Sequence, residues 1–245
     1  MQTIADRIAA VRSRIAAAAS RAGRSPEAVR LVGVTKTHPP EMVAAALAAG
    51  LTDFGENRVQ EAEAKIAALA EQRSRITWHL IGHLQSNKAR RAAALFDVIH
   101  SVDSLRLAEV LGRRLGEQGE DAGARAVLLQ VNVSGEHSKE GFDLAGWEGR
   151  QAALDAFIAD VERILALPHL RVRGLMTIAP WGANPENARP VFHSARRLRD
   201  LLAQRFPAAD WAELSMGMTD DFDVAVEEGA TIVRVGRAIF GARTP

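Results

Sequence analysis

Lys36 closes an apolar run and faces a turn. In LVGVTKTHPP (31–40), Leu31, Val32 and Val34 precede it, and Thr37, His38, Pro39 and Pro40 follow. The prolines disfavour a continuing strand and pre-set the first turn of a helix beginning at about Glu41. The lysine therefore stands where a buried strand gives way to a loop. An ammonium group near a core loses hydration, which favours the neutral amine, the form that attacks a carbonyl. Lys36 is either a Schiff-base lysine or a strand-end lysine whose head reaches water over an apolar stem. A second segment, IVRVGRAIFG (232–241), has the makings of an anion site. Gly236 lets a ligand approach the backbone, and the residues after it open a short helix with free N–H groups. Ser215, in LSMGM, either donates its hydroxyl to the same anion or caps a helix. Arg234 interrupts a buried strand and must point at a partner.

These residues need elements to position them. Short apolar strands alternate with Ala/Leu-rich helical patterns along the chain. Strands are expected at 31–36, 52–55, 78–82, 97–102, 126–132, 171–178, 212–217 and 231–236. An N-terminal helix spans about 3–22. Further helices are expected at 40–49, 57–71, 86–95, 103–118, 149–166, 186–205 and 221–228, with a short one after 237. Asp103 or Ser104 can cap the helix at 103, Pro190 blurs the start of the one at 186, and Gly50 and Gly229 sit where helices stop. The strands are mostly apolar on both faces, as in a parallel sheet covered by helices. Eight such units predict a single (β/α)8 TIM-type barrel over 1–245 with an extra N-terminal helix. The rival, an open doubly wound sheet, lacks its Gly-x-Gly-x-x-Gly after the first strand. The longest irregular stretches, 133–148 and 179–188, both follow strands, on the face where barrel sites gather.

Reading off the strand ends gives Lys36, Glu56 with Asn57, His79 with His83, Ser101, Asn132, Met176 with Thr177, Ser215 to Met218, and Arg234 with Gly236 and Arg237. This set suits an anionic, ring-bearing ligand better than a metal. His79 and His83 are spaced i, i+4, but they lie on a strand pattern with no third ligand near in sequence. Lys+Arg 31 against Asp+Glu 30 leaves a formal charge of +1, with no net field towards nucleic acid or an anionic membrane. There are no cysteines, which excludes disulfides and thiol chemistry, and no tyrosines, which excludes a tyrosine acid or base. The charged first helix is not a signal peptide, and no apolar run reaches membrane-spanning length, so a cytoplasmic protein is expected. In a closed barrel the first and eighth strands are neighbours, which brings Lys36 beside the anion site. An aldehyde, a ring and a phosphate in one molecule means pyridoxal 5'-phosphate. An arginine beside its pyridine nitrogen keeps that nitrogen unprotonated and limits carbanion chemistry.

Seven blocks carry a family resemblance: VTKTHP (34–39), FGENRVQE (54–61), WHLIGHLQSNK (78–88), VNVSGEHSKEGF (131–142), GLMTI (174–178), LSMGMTDDFDVAVEEGAT (214–231) and VRVGRAIFGAR (233–243). With these the chain resembles the pyridoxal-phosphate homeostasis proteins, relatives of the N-terminal barrel of bacterial alanine racemase. The resemblance implies a fold-type III barrel with the cofactor held as a Schiff base on Lys36 and with Arg234 facing the pyridine nitrogen. It implies a phosphate held by Ser215 and by backbone N–H groups around Met216, Gly236 and Arg237, and a pocket lined by Asn57, His79 and Met176. Two features depart from the pattern. Arg237 stands where many relatives place a small hydroxyl residue, and 143–160 fits only loosely.

The resemblance leaves two readings of different class. One is a protein that binds, stores or delivers pyridoxal phosphate within vitamin B6 homeostasis, with apo-enzymes as partners. The other is an amino-acid racemase or related enzyme. In alanine racemase the second base is a tyrosine of the partner subunit, shaped by a separate β domain. This chain has no tyrosine, and with its last residue at Pro245 no such domain is expected. The carrier reading is the expected one, in a monomer or weak dimer. A sugar-phosphate aldolase using Lys36 is a third, remoter reading.

Overall fold

The computed structural model describes residues 2–117, 123–136 and 139–241. An N-terminal helix, α1 (Ile4–Arg21), precedes a repeating strand–helix order: β1 (Arg30–Val34), α2 (Pro40–Ala48), β2 (Asp53–Glu56), α3 (Val59–Ala68), β3 (Thr77–Leu80), α4 (Ala89–Leu95), β4 (Val98–Val102) and α5 (Leu105–Gly116). The second half runs β5 (Arg125–Asn132), β6 (Phe142–Asp143), α6 (Gln151–Leu165), β7 (Leu170–Met176), α7 (Arg189–Arg205), β8 (Glu213–Ser215), α8 (Phe222–Glu227), β9 (Ile232–Val235) and α9 (Arg237–Phe240). Eight strands close a parallel ring in the order β4-β3-β2-β1-β9-β8-β7-β5, completed by pairing of β4 with β5. This is the (β/α)8 barrel expected from the alternation. The two-residue β6 pairs with β5 inside a stretch expected to be irregular.

Local chemistry sets the element ends. Pro39 and Pro40 open α2. Ser104, not Asp103, caps α5, its hydroxyl accepting from the Leu107 N–H. Gly50 and Gly229 follow α2 and α8 with positive φ, a backbone other residues adopt at a cost. The expected helix at 57–71 is shorter, and a 3-10 segment over Ala70–Arg75 follows it. The helix expected to reach residue 118 ends at Gly116, and 118 itself lies outside the described residues.

Most of the apolar core lies between the strands and the helix layer, with Phe54, Trp78, Phe96, Phe192 and Phe222 fully buried. A small separate cluster of Val32, Leu128, Met176 and Ile232 fills part of the ring's interior. The rest of the interior is polar, holding His79, His100, Ser215 and Arg234, all buried. That polar filling under the C-terminal strand ends is what the site is built on.

Candidate functional site

Lys36 lies two residues beyond the last residue of β1, half-buried, and both its neighbours are tied down. Thr35 is buried; its Oγ1 donates to Glu56 Oε1 at 2.6 Å, and its carbonyl accepts from Lys65 Nζ at 2.7 Å. Lys65, on α3, also pairs with Glu56 on β2. Thr37 donates its backbone N–H to Glu61, the other carboxylate near Lys65. Its φ is +65°, a strained value for a β-branched residue. The lysine is thus presented by a short arch fastened at each foot to α3 or β2. Burial pushes the Glu56 carboxyl up, against the pull of Lys65 and Thr35. Its Oε2 is buried with no hydrogen-bond partner among the described residues.

The eighth barrel strand stands beside the first. Val32 pairs in register with Arg234, and a Cβ on Gly236 would lie 3.2 Å from the Val34 carbonyl oxygen. A side chain at 236 would therefore crowd this seam. On the other side, a Cβ on Gly82 would meet the Asn57 carbonyl oxygen at 2.4 Å, so the glycine of the WHLIG block lets the chain pass against Asn57. Between these walls opens a cleft of about 240 Å³, at the small end for ligand pockets. Lys36, Asn57, Arg234, Gly236 and Arg237 line it, with Val34, Ile81 and Ile178 as apolar walls. Trp181, 81% exposed, stands on the rim. Arg237 pairs with Asp220 across the same rim. A larger hollow of about 770 Å³ lies between α6 and α7 on the outside of the barrel, away from the strand ends.

Arg234 is 3% exposed yet reaches the cleft. Its Nη1 donates to Ser215 Oγ at 2.6 Å and its Nη2 to the Thr177 carbonyl at 2.9 Å. Burial lowers its pKa to about 10, opposed by the charge of Asp221, so it remains a cation at neutral pH.

The other expected residues sit lower. Ser215, His79, Met176 and Met216 are fully buried and do not line the cleft. Ser215 Oγ lies 2.9 Å from His100 Nδ1, and His100 Nε2 lies 2.9 Å from His79 Nδ1. His79 Nε2 reaches Asp53 Oδ1 at 3.0 Å. The Met216 N–H is taken by the Ile232 carbonyl. His79 and His83 do not converge, because β3 ends at Leu80 and His83 lies in the loop beyond it. His83 is exposed and pairs with Asp103 at 3.0 Å; with Glu140 these offer three ligand atoms within 4.8 Å of one another. His100 and Lys65 were not marked by sequence, since each sits in an ordinary strand or helix pattern. His137, Ser138, Ala242 and Arg243 of the family blocks lie outside the described residues.

Burial pushes His100 well below the usual 6.5, helped by His79, Arg234 and Arg30. The unfolded chain takes up a proton near 6.5 that the folded site refuses. Stability is therefore full above that pH and falls as pH drops towards the folded value. The expected slope from His100 is about 1.4 kcal/mol per pH unit. Urea midpoints measured from pH 7.5 downwards should fall less steeply in His100→Asn, and equal slopes would contradict the assignment.

The family model described as alanine racemase, N-terminal domain, matches residues 7–244. A pyridoxal phosphate homeostasis protein of Pseudomonas aeruginosa is 47% identical, over 99% of this chain and 97% of its own. One from Escherichia coli is 43% identical over 99% and 98%. The chain belongs to the pyridoxal phosphate homeostasis protein family. Among solved structures, PipY of Synechococcus elongatus with pyridoxal phosphate bound matches with a TM-score of 0.81 and 42% identity, over 98% of this chain and 100% of that one. An alanine racemase of Clostridium difficile shares the barrel, at 13% identity and a TM-score of 0.69 over 94% of this chain and 55% of the racemase. Within the family, then, the blocks around Lys36 and Arg234 fall at the walls of one cleft. No helix among the described residues is long and apolar enough to cross a membrane.

Proposed function

We propose that this protein binds pyridoxal 5'-phosphate as a Schiff base on Lys36, and holds and delivers it within vitamin B6 homeostasis. One observation carries the reading: an amine on an anchored arch and a buried, charged guanidinium share a cleft sized for one small ring. When bound, pyridoxal phosphate supplies an aldehyde that an amine captures reversibly. Lys36 would hold that end. Arg234 is a donor only, so it matches a ring nitrogen that accepts and stays unprotonated. The backbone at Gly236 and Arg237, where α9 begins, would hold the phosphate. Val34, Ile81 and Ile178 would exclude water from the ring. The relatives' names and the cofactor-bound neighbour support the same group.

A carrier fits this chain better than a racemase. It has no tyrosine, and His79 is buried below the cleft in a bond to His100. A guanidinium at the ring nitrogen weakens the electron sink that proton abstraction needs. The cofactor is then open to hand-over to apo-enzymes at the mouth beside Trp181. The protein is placed in the cytoplasm on this reading, as a monomer or weak dimer.

Titration with pyridoxal phosphate should give a visible absorption band in the wild type and none in Lys36→Ala. The variant should keep its circular dichroism and melting temperature, because the half-buried side chain packs little. An equal band in both proteins would refute Lys36 as the anchor.

A further inference from the structure

A continuous line of hydrogen bonds runs through the polar interior of the barrel. It starts at Arg234 in the cleft and passes through Ser215, His100 and His79 to Asp53, the first residue of β2 on the opposite face. Every link is 2.6 to 3.0 Å. The three middle residues have no exposed surface.

The two ends give the line a direction. A guanidinium only donates, and an ionised carboxylate only accepts. Ser215 Oγ therefore accepts from Arg234, and its one proton goes to the remaining partner, His100 Nδ1. His100 then carries its proton on Nε2 and gives it to His79 Nδ1. His79 carries its proton on Nε2 and gives it to Asp53. In this arrangement the Ser215 hydroxyl proton and the proton on each histidine ring all have an acceptor. The alternative has a protonated His79 and His100 protonated on Nδ1. It leaves the Ser215 proton with no acceptor in a buried site, which is costly. The charges facing the line favour the first arrangement. Arg234 stands at one end; at the other, Arg30 lies 3.7 Å from Asp53 and 3.3 Å from Glu213, which Arg173 approaches from β7. Burial resists ionisation of Asp53, but His79, Thr52 and Arg30 outweigh it and hold the carboxyl below its usual range.

We propose that Asp53, His79, His100 and Ser215 are positioning residues for Arg234, a one-way hydrogen-bond relay that fixes where its guanidinium points in the cleft. Ser215 and the Thr177 carbonyl take one donor from each terminal nitrogen and set the plane of the group. The Ser215 hydroxyl is committed to this line and is not a phosphate donor. What the relay does for a bound ring rests on the cofactor reading above, whereas the tautomers do not.

The test begins on the protein without cofactor. Ring-nitrogen NMR of 15N-labelled protein, assigned with His79→Asn and His100→Asn, should show both rings protonated on Nε2 and not on Nδ1 at about pH 8, with His100 unchanged down to about pH 6. A ring protonated on Nδ1 at about pH 8, or an ordinary titration of His100 near 6.5, would overturn the relay. A second arm uses pyridoxal phosphate as the probe. Asn at position 100 keeps a polar atom near the place of Nδ1, whereas Leu does not. His100→Leu should weaken binding about tenfold, and His100→Asn should recover most of that loss. Equal losses would leave only packing and overturn the positioning role. Should a variant fail to fold, the wild-type spectrum, assigned through the other histidine's variant, still decides the tautomers. Should the wild type not bind the probe, the cofactor reading fails while the tautomer result stands.

Discussion

Lys65→Met should cost about 3–5 kcal/mol of stability, a large part of what a domain of this kind possesses. Lys65 is 3% exposed and Glu56 is fully buried. Removing the ammonium leaves a buried carboxylate that, among the described residues, keeps the Thr35 hydroxyl as its one hydrogen-bond donor, with no partner for Oε2. The Thr35 carbonyl loses its donor as well. Urea unfolding followed by circular dichroism gives the number. The double variant Lys65→Met with Glu56→Gln should recover part of the loss, because it removes the unpaired charge. A single variant within 1 kcal/mol of wild type would mean the arch under Lys36 is not held as described. Because that arch presents the amine, the single variant should also bind pyridoxal phosphate more weakly.

Gly174→Ala should be more severe and leave little soluble folded protein. Gly174 has φ +148°, and a Cβ there would sit 1.7 Å from the Glu213 carbonyl oxygen. That atom belongs to the backbone of the neighbouring strand, paired in register with Gly174. No side-chain rotation relieves the clash, so the ring must open at β7–β8. The same residue follows a register shift. Val172 pairs with Val127 but Gly174 pairs with Leu128, so β7 carries one extra residue at Arg173. The bulge sets Met176 opposite Gln130 and Ser215, on the way to the cleft. Expression, gel filtration and thermal melting check this. A soluble variant melting within a few degrees of wild type would contradict it.

Much of this was legible in the sequence, for identifiable reasons. Alternating apolar strands and Ala/Leu-rich helices fix the order of elements, and closure follows from eight such units. Lys36 and Arg234 stood out because a charge at the end or middle of a buried strand needs a partner. Gly236 stood out because it follows that strand. What lay hidden depends on pairings across the fold. Lys65 reads as a solvent-facing lysine of an amphipathic helix until β1 and β2 lie beneath it. His100 sits in DVIHSV, an ordinary strand, and its role exists only because Ser215, more than a hundred residues later, is next to it. For the same reason the hydroxyl of Ser215 was visible in the sequence, but its bonds to Arg234 and His100 were not. The strain at Thr37 has no sequence signal, since threonine rarely adopts a positive φ.

The central claim is that Lys36 holds an aldehyde reversibly, and borohydride tests it most directly. Protein mixed with pyridoxal phosphate, reduced with borohydride and digested, should carry the added mass on the peptide containing Lys36 and on no other in stoichiometric amount. Stoichiometric label on a different lysine, or none on Lys36 at saturating cofactor, would contradict the account.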